Sequence, residues 1–195
     1  MQPRIPRQPV QDQGGIHTDD DAGLGAELAA VVAGARRRAV RDGDRQVDTA
    51  HLLHSLIESD PEVRAVIGDA PQLARLLGYL VQRSIGYGLR WQGGVEDSGA
   101  LPAVPQSVPR AGAKGDGAWS PVAAAALEYA RSRARRRTAD RADGTDLLAG
   151  LVVDPESRAV EVLERAGVAS RALAVRVDGD DGVWDAETES RTSSR

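Results

Sequence analysis

The chain carries one helical pattern twice, about 95 residues apart, and this duplication restricts its fold more than any other feature of the sequence. Leu28, Val31, Val32, Ala35 and Ala39 coincide at an offset of 95 with Ala123, Ala126, Leu127, Ala130 and Ala134. Both sets follow the i, i+3, i+4, i+7, i+11 spacing of a single helix face. The offset persists through Val47, Asp48, Leu52, Leu53, Leu56 and Ile57, which meet Ala142, Asp143, Leu147, Leu148, Leu151 and Val152. A second helix is expected there in each copy, capped by Asp48 and Asp143, whose carboxylates can accept from free first-turn N–H groups. Asp60-Pro61-Glu62-Val63-Arg64-Ala65-Val66 then meets Asp154-Pro155-Glu156-Ser157-Arg158-Ala159-Val160 at an offset of 94. Asp before Pro before Glu predicts a helix start in both copies: a cap, a proline at N1 and a first-turn acid that complements the helix dipole. Gly167 is the expected residue just beyond the third helix of the second copy, and the third helix of the first copy is expected to be shorter.

One more amphipathic helix closes each copy, near 71–83 and 169–177. Four helices in about 60 residues make a unit too small to bury a comfortable core alone. The expected architecture is all-α, a tandem repeat of two four-helix units packed as one pseudo-twofold, eight-helix domain. Repeat one spans 24–85, a Gly-, Pro- and Ser-rich linker spans 86–118, and repeat two spans 119–177. Residues 1–23 and 178–195 read as disordered tails, polar and without periodic apolar positions. The acidity lies in these ends, with 2 Arg against 4 Asp in the first and 2 Arg against 6 acids in the second, while the whole chain carries a net charge of -4.

Composition removes several function classes. The absence of cysteine excludes disulfide scaffolds, thiolate metal sites and thiol chemistry. With 3 Trp, 3 Tyr and no Phe, the core must be built from Ala, Leu and Val, which suits close-packed helices. No apolar run reaches the roughly 18–20 residues of a membrane span, and no apolar signal region is found near Met1. A cytoplasmic protein without membrane contact is expected. There is no Gly-x-Ser-x-Gly elbow and no pair of carboxylates that periodicity places in a shared cleft, so catalysis is not expected.

The second helix of the first copy begins Asp48-Thr49-Ala50-His51-Leu52-Leu53, and that of the second Asp143-Gly144-Thr145-Asp146-Leu147-Leu148. The second copy opens with Trp119-Ser120-Pro121-Val122-Ala123 and a Leu127-Glu128 pair, and Leu163 to Val168 follows a Leu-x-x-x-Gly-Val pattern. In these motifs the chain resembles the Clp N-terminal domain, the substrate-receiving module of Clp-type AAA+ unfoldases, over about 24–85 and 119–177. The linker is longer than the family's by about twenty residues. No Gly-x-x-x-x-Gly-Lys-[Ser/Thr] phosphate loop occurs, and the single lysine, Lys114, lies in the linker, so the resemblance is to a receiver without its ATPase. The glutamate that in some family members holds a phosphoarginine guanidinium is replaced by Ala50 and Thr145. Neither can supply a carboxylate.

The resemblance implies a non-catalytic module that binds peptides, unfolded or arginine-phosphorylated proteins, or cyclic peptides in a groove between repeats. Such a module would act as an adaptor, competitor or decoy for a Clp ATPase or protease complex, with no cofactor. Its matching positions are Leu24, Trp119, Ser120, Leu127 and Glu128, with Asp48 and Asp143 close to the missing glutamates. Trp119 also reads as a hydrophobic staple ahead of the Ser120 cap. His51 and His54 have a spacing that metals use, but the second copy has Asp146 and Ala149 there and no third ligand is evident, so no metal is expected. Arg36 to Arg38 and Arg131, Arg133 and Arg135 to Arg137 cluster at the ends of the two first helices. A nucleic-acid-binding regulator using these arginines is the alternative reading. Net negative charge and the lack of interleaved aromatics weigh against it.

Overall fold

The computed structural model describes residues 22–84, 96 and 118–179. Four helices come from the first copy: α1 (Ala26–Asp42), α2 (Thr49–Ser59), α3 (Pro61–Ile67) and α4 (Ala70–Ser84). The second copy supplies α5 (Pro121–Arg136), α6 (Gly144–Leu151), α7 (Arg158–Arg165) and α8 over 170–179. The fold is the expected all-α tandem, and the aligned positions of both copies share one core. Leu28, Val31, Val32, Ala35 and Ala39 of α1 are buried, as are Ala123, Ala126, Leu127, Ala130 and Ala134 of α5. The tails and most of the linker fall outside the described residues. No helix among the described residues is long and apolar enough to cross a membrane.

The caps follow local chemistry. Asp48 and Asp143 each accept from the N–H three residues on, at 3.0 and 2.9 Å, and the side chains of His51 and Asp146 accept in return from the cap N–H groups. Ser120 caps α5 ahead of Pro121 at N1. At the other end of α1, Gly43 is left-handed at φ 74°. Its counterpart after α5 is Thr138 at φ 55°, a β-branched residue in a conformation that favours glycine. Gly167, at φ 80°, follows α7 as expected.

The two Asp-Pro-Glu motifs behave differently. Asp60 caps α3, accepting from Glu62 and Val63 at 2.9 and 3.1 Å. The expected start at Asp154 is not a helix start. Asp154 accepts from Glu156 at 2.9 Å within a turn, and α7 begins three residues later, capped by Ser157. Ser157 is a competing cap that the first copy lacks, since Val63 stands in its place. The third helix of the first copy is the shorter, at seven residues against eight.

Each repeat is tied to the other by exchanged backbone contacts. The segment before α5 forms β2 (Ala118–Trp119), which pairs in parallel with β1 (Gln46–Val47), the segment before α2. In the same way Leu24, before α1, bridges Ala142, before α6. Ser120 N–H donates to Val47 O and Gly25 N–H to Ala142 O, both at 2.8 Å. Ser120 and Gly25 are counterparts at the repeat offset, so the crossed contacts obey the same pseudo-twofold relation as the sequence. Helices α5 and α6 approach so closely that a Cβ at Gly150 would lie 2.4 Å from Ala126 O.

Candidate functional site

The crossed pairing brings helix N-termini together at two places, one for each pseudo-twofold direction. At the first, α2, α5 and α7 converge. The Thr49 N–H, the Ser120 hydroxyl and the Arg158 N–H all point at one carboxylate, that of Glu96, which is 5 % exposed. The three contacts are 3.0, 2.7 and 2.8 Å long, and the Thr49 hydroxyl adds a fourth. That hydroxyl also accepts from Ala159 N–H at 3.0 Å, which fixes its orientation. Free N–H groups at helix starts carry positive partial charge and form a ready seat for an anion.

At the second place α1, α3 and α6 converge around an open cavity of about 520 Å³. Leu28 and Val31 give it an apolar floor, and Glu27, Asp60, Glu62 and Asp143 give it an acidic lining. The starts of α3 and α6 are served by acids of their own repeats. Asp60 caps α3, Asp143 caps α6, and the Asp60 carboxylate lies where a Cβ on Gly144 would be, 2.0 Å away. Gly25, the counterpart of Ser120, provides no hydroxyl.

The expected site residues divide between these places and the core. Ser120 belongs to the first seat and Asp143 to the cavity. Asp48 lies next to the first seat as the α2 cap, fully buried, where Arg158 reaches it at 2.5 Å and Arg83 pairs with it also. Leu24 and Leu127 are core residues at 2 % and 3 % exposure. Trp119 is half-buried on β2 with the Arg36 guanidinium 4.4 Å over its ring. Glu128 is exposed and pairs with Arg131 and Arg135 at 3.6 and 3.1 Å. Glu96 went unnoticed in the sequence because it is one of three acids in the linker, with Asp97 and Asp116, and none of them belongs to a periodic pattern.

Electrostatics around Asp48 are tightly coupled. Burial raises its pKa, yet the hydrogen bond and charge of His51 and the guanidinium groups of Arg83 and Arg158 hold it well below the usual carboxylate range. His51 is buried too, which opposes its protonation, but Asp44 and Asp48 together hold its pKa above 6.5. Its Nε2 lies 3.1 Å from Asp44 Oδ2 in an ion-pair contact. His54 goes the other way: burial first, then the Arg38 charge, bring it down to about 4. Asp44, Asp48 and His51 stand close enough to share a metal ion. Arg83 pairs with both aspartates, and with Arg158 it already provides the positive charge that a cation would bring.

The arginine clusters are largely engaged within the molecule. Arg133 is buried, donating to Val177 O at 2.7 Å and pairing with Asp146 at 3.5 Å. Arg137 binds Asp143 and Asp146 at 3.1 and 2.6 Å, and Arg38 binds Glu58 and Ser55.

No protein-family model matches the chain, and no curated protein matches it in sequence. Solved structures do match. The N-terminal domain of the caseinolytic protease-associated chaperone ClpD from Arabidopsis thaliana aligns over 86 % of this chain and 97 % of that one, with a TM-score of 0.56 at 16 % identity. A structure described as part of investigations of a malarial protein secretion system aligns over 82 % of this chain and 95 % of that one, with a TM-score of 0.56 at 15 % identity. At such identities the likeness is one of fold, and the chain has a Clp N-domain-like fold.

Proposed function

We propose that the chain is a non-catalytic binding module that receives a peptide segment at the junction of its two repeats. The supporting observation is the open cavity where α1, α3 and α6 start. Its apolar floor of Leu28 and Val31 lies beneath Glu27, Glu62 and Asp143. A floor of this kind accepts the aliphatic stem of an arginine or lysine while the acids above meet its charge. Glu27 and Glu62 are exposed, and neither has a charge partner among the described residues. The proposed ligand is therefore a peptide with a basic side chain, from an unfolded protein or a cyclic peptide. A phosphoarginine would bring its phosphate against these acids, so the unmodified side chain is the better fit. In this reading the module acts as adaptor, competitor or decoy toward a Clp unfoldase, and a ligand that it holds lowers the free ligand available to that unfoldase.

Calorimetric titration with an arginine-containing peptide, its phosphoarginine form and a cyclic peptide antibiotic tests this reading. Micromolar binding of the unmodified peptide is expected, weakened about tenfold by the paired Glu27→Gln and Glu62→Gln substitutions, as for the loss of one charged hydrogen bond. If none of the three binds at micromolar level, the reading fails.

A further inference from the structure

The two convergences of helix N-termini are pseudo-twofold counterparts, yet they are filled from different sources. In the first repeat Asp60 serves the start of α3 and lies against Gly144 at the start of α6. Its counterpart in the second repeat, Asp154, does not perform that service. Asp154 is 3 % exposed, it accepts through one oxygen only, and its Oδ2 is buried without a hydrogen-bond partner. At this convergence the N–H groups of Thr49 and Arg158, together with two hydroxyls, are met by Glu96.

An acid at a helix cap is held in place by its own backbone, because the residue that carries it is part of the turn. Glu96 is not part of any of the three turns whose donors it meets. It lies 47 residues from Thr49, 24 from Ser120 and 62 from Arg158, and belongs to neither repeat. The donors come from three helices of both repeats, and two of them are held by further bonds of their own: Ser120 N–H donates to Val47 O, and the Thr49 hydroxyl accepts from Ala159 N–H. The seat is thus built from the folded repeats, and its occupant is a side chain from outside them, supplied by the same chain at high local concentration.

We infer that Glu96 is an internal ligand, a carboxylate filling in cis an oxyanion seat made by Thr49, Ser120 and Arg158. A carboxylate or phosphate group from outside gains the seat only by displacing it. Insofar as the outside group belongs to a bound peptide, this rests on the binding role proposed above. The seat itself is independent of that role, and small oxyanions probe it directly.

The experiment compares the wild type with Glu96→Ala and Glu96→Gln in the full chain. Thermal unfolding is followed at matched ionic strength in chloride, acetate and inorganic phosphate. Glu96→Ala is expected to melt lower in chloride and to regain stability saturably with acetate and phosphate, while the wild type, which must first release Glu96, responds only at much higher concentration. The half-saturating phosphate concentration should be at least about tenfold lower for Glu96→Ala than for the wild type, and Ser120→Ala added to Glu96→Ala should raise it again. Identical responses of variant and wild type to all three salts would overturn the inference and leave Glu96 as a structural pin. Should Glu96→Ala not fold in chloride, Glu96→Gln carries the same comparison: it loses the charge and keeps an acceptor, and its failure to respond overturns the inference equally. A peptide titration that fails alongside successful acetate rescue would count against the binding role alone.

Discussion

Asp48 and Arg158 meet at 2.5 Å across the boundary between the repeats, 110 residues apart in sequence, with the carboxylate fully buried. Asp48 thereby does two jobs. It caps α2 within its own repeat and anchors the first turn of α7 from the other. Its counterpart Asp143 performs only the first, at an exposed position beside Arg137.

Substitution at the two caps should therefore differ in cost despite their equivalent sequence. Asp48→Ala is expected to destabilise by about 3–5 kcal/mol, because it leaves the buried guanidinium of Arg158 and that of Arg83 without their shared anion. Asp143→Ala is expected to cost about 1 kcal/mol, the ordinary value of a lost cap. Urea unfolding of both variants measures the difference, and Asp48→Asn, which keeps a cap acceptor without the charge, should fall between them.

The two histidines of α2 are expected to act on stability with opposite signs, so that their joint contribution is greatest near neutral pH. The folded-state pKa of His51 is raised, so its contribution is complete below 6.5 and is lost as pH rises through the elevated value. That of His54 is lowered to about 4, so stability is lost as pH falls from 6.5 through that value, the unfolded chain taking up a proton that the folded one refuses. His51→Asn, which can still accept from Asp48 N–H, should flatten the alkaline side of the profile, and His54→Gln the acid side. Melting temperature recorded from pH 4 to 9 in steps of about one unit would show each limb separately.

Thr138 occupies the left-handed position that Gly43 occupies in the first repeat. A left-handed conformation costs a side chain with a Cβ about 1–2 kcal/mol, and glycine gives back part of that in unfolded-state entropy. Thr138→Gly is expected to stabilise by about 0.5–1 kcal/mol. Gly43→Ala should destabilise by about 1 kcal/mol through backbone strain alone, since no atom lies within 4 Å of the added Cβ. Chemical denaturation of the two single variants checks both signs.

The helical repeat and its caps were legible because their causes are local. Apolar spacing, Asp48, Asp143, Ser120 and the Asp60-Pro61 start each act within one or two turns, and the structure places helices at all of them. The start at Asp154 was misread because two caps, Asp154 and Ser157, compete three residues apart, and Ser157, which accepts from Val160 N–H, is the one that opens α7. The candidate site was less legible than the fold. Ser120 and Asp143 stand at the two convergences, whereas Leu24 and Leu127 are consumed by the core.

By itself the sequence determined that this chain makes two copies of one helical unit, since periodicity and capping are properties of neighbouring residues. Only the tertiary structure decided how the copies join. Two-residue strands such as Gln46–Val47 and Ala118–Trp119 leave no pattern to recognise, yet their parallel pairing crosses the repeats and aims three helix starts at a single point. Whether that point holds an anion, and which residue supplies it, follows from donors brought together from Thr49, Ser120 and Arg158, a relation that no local signal encodes.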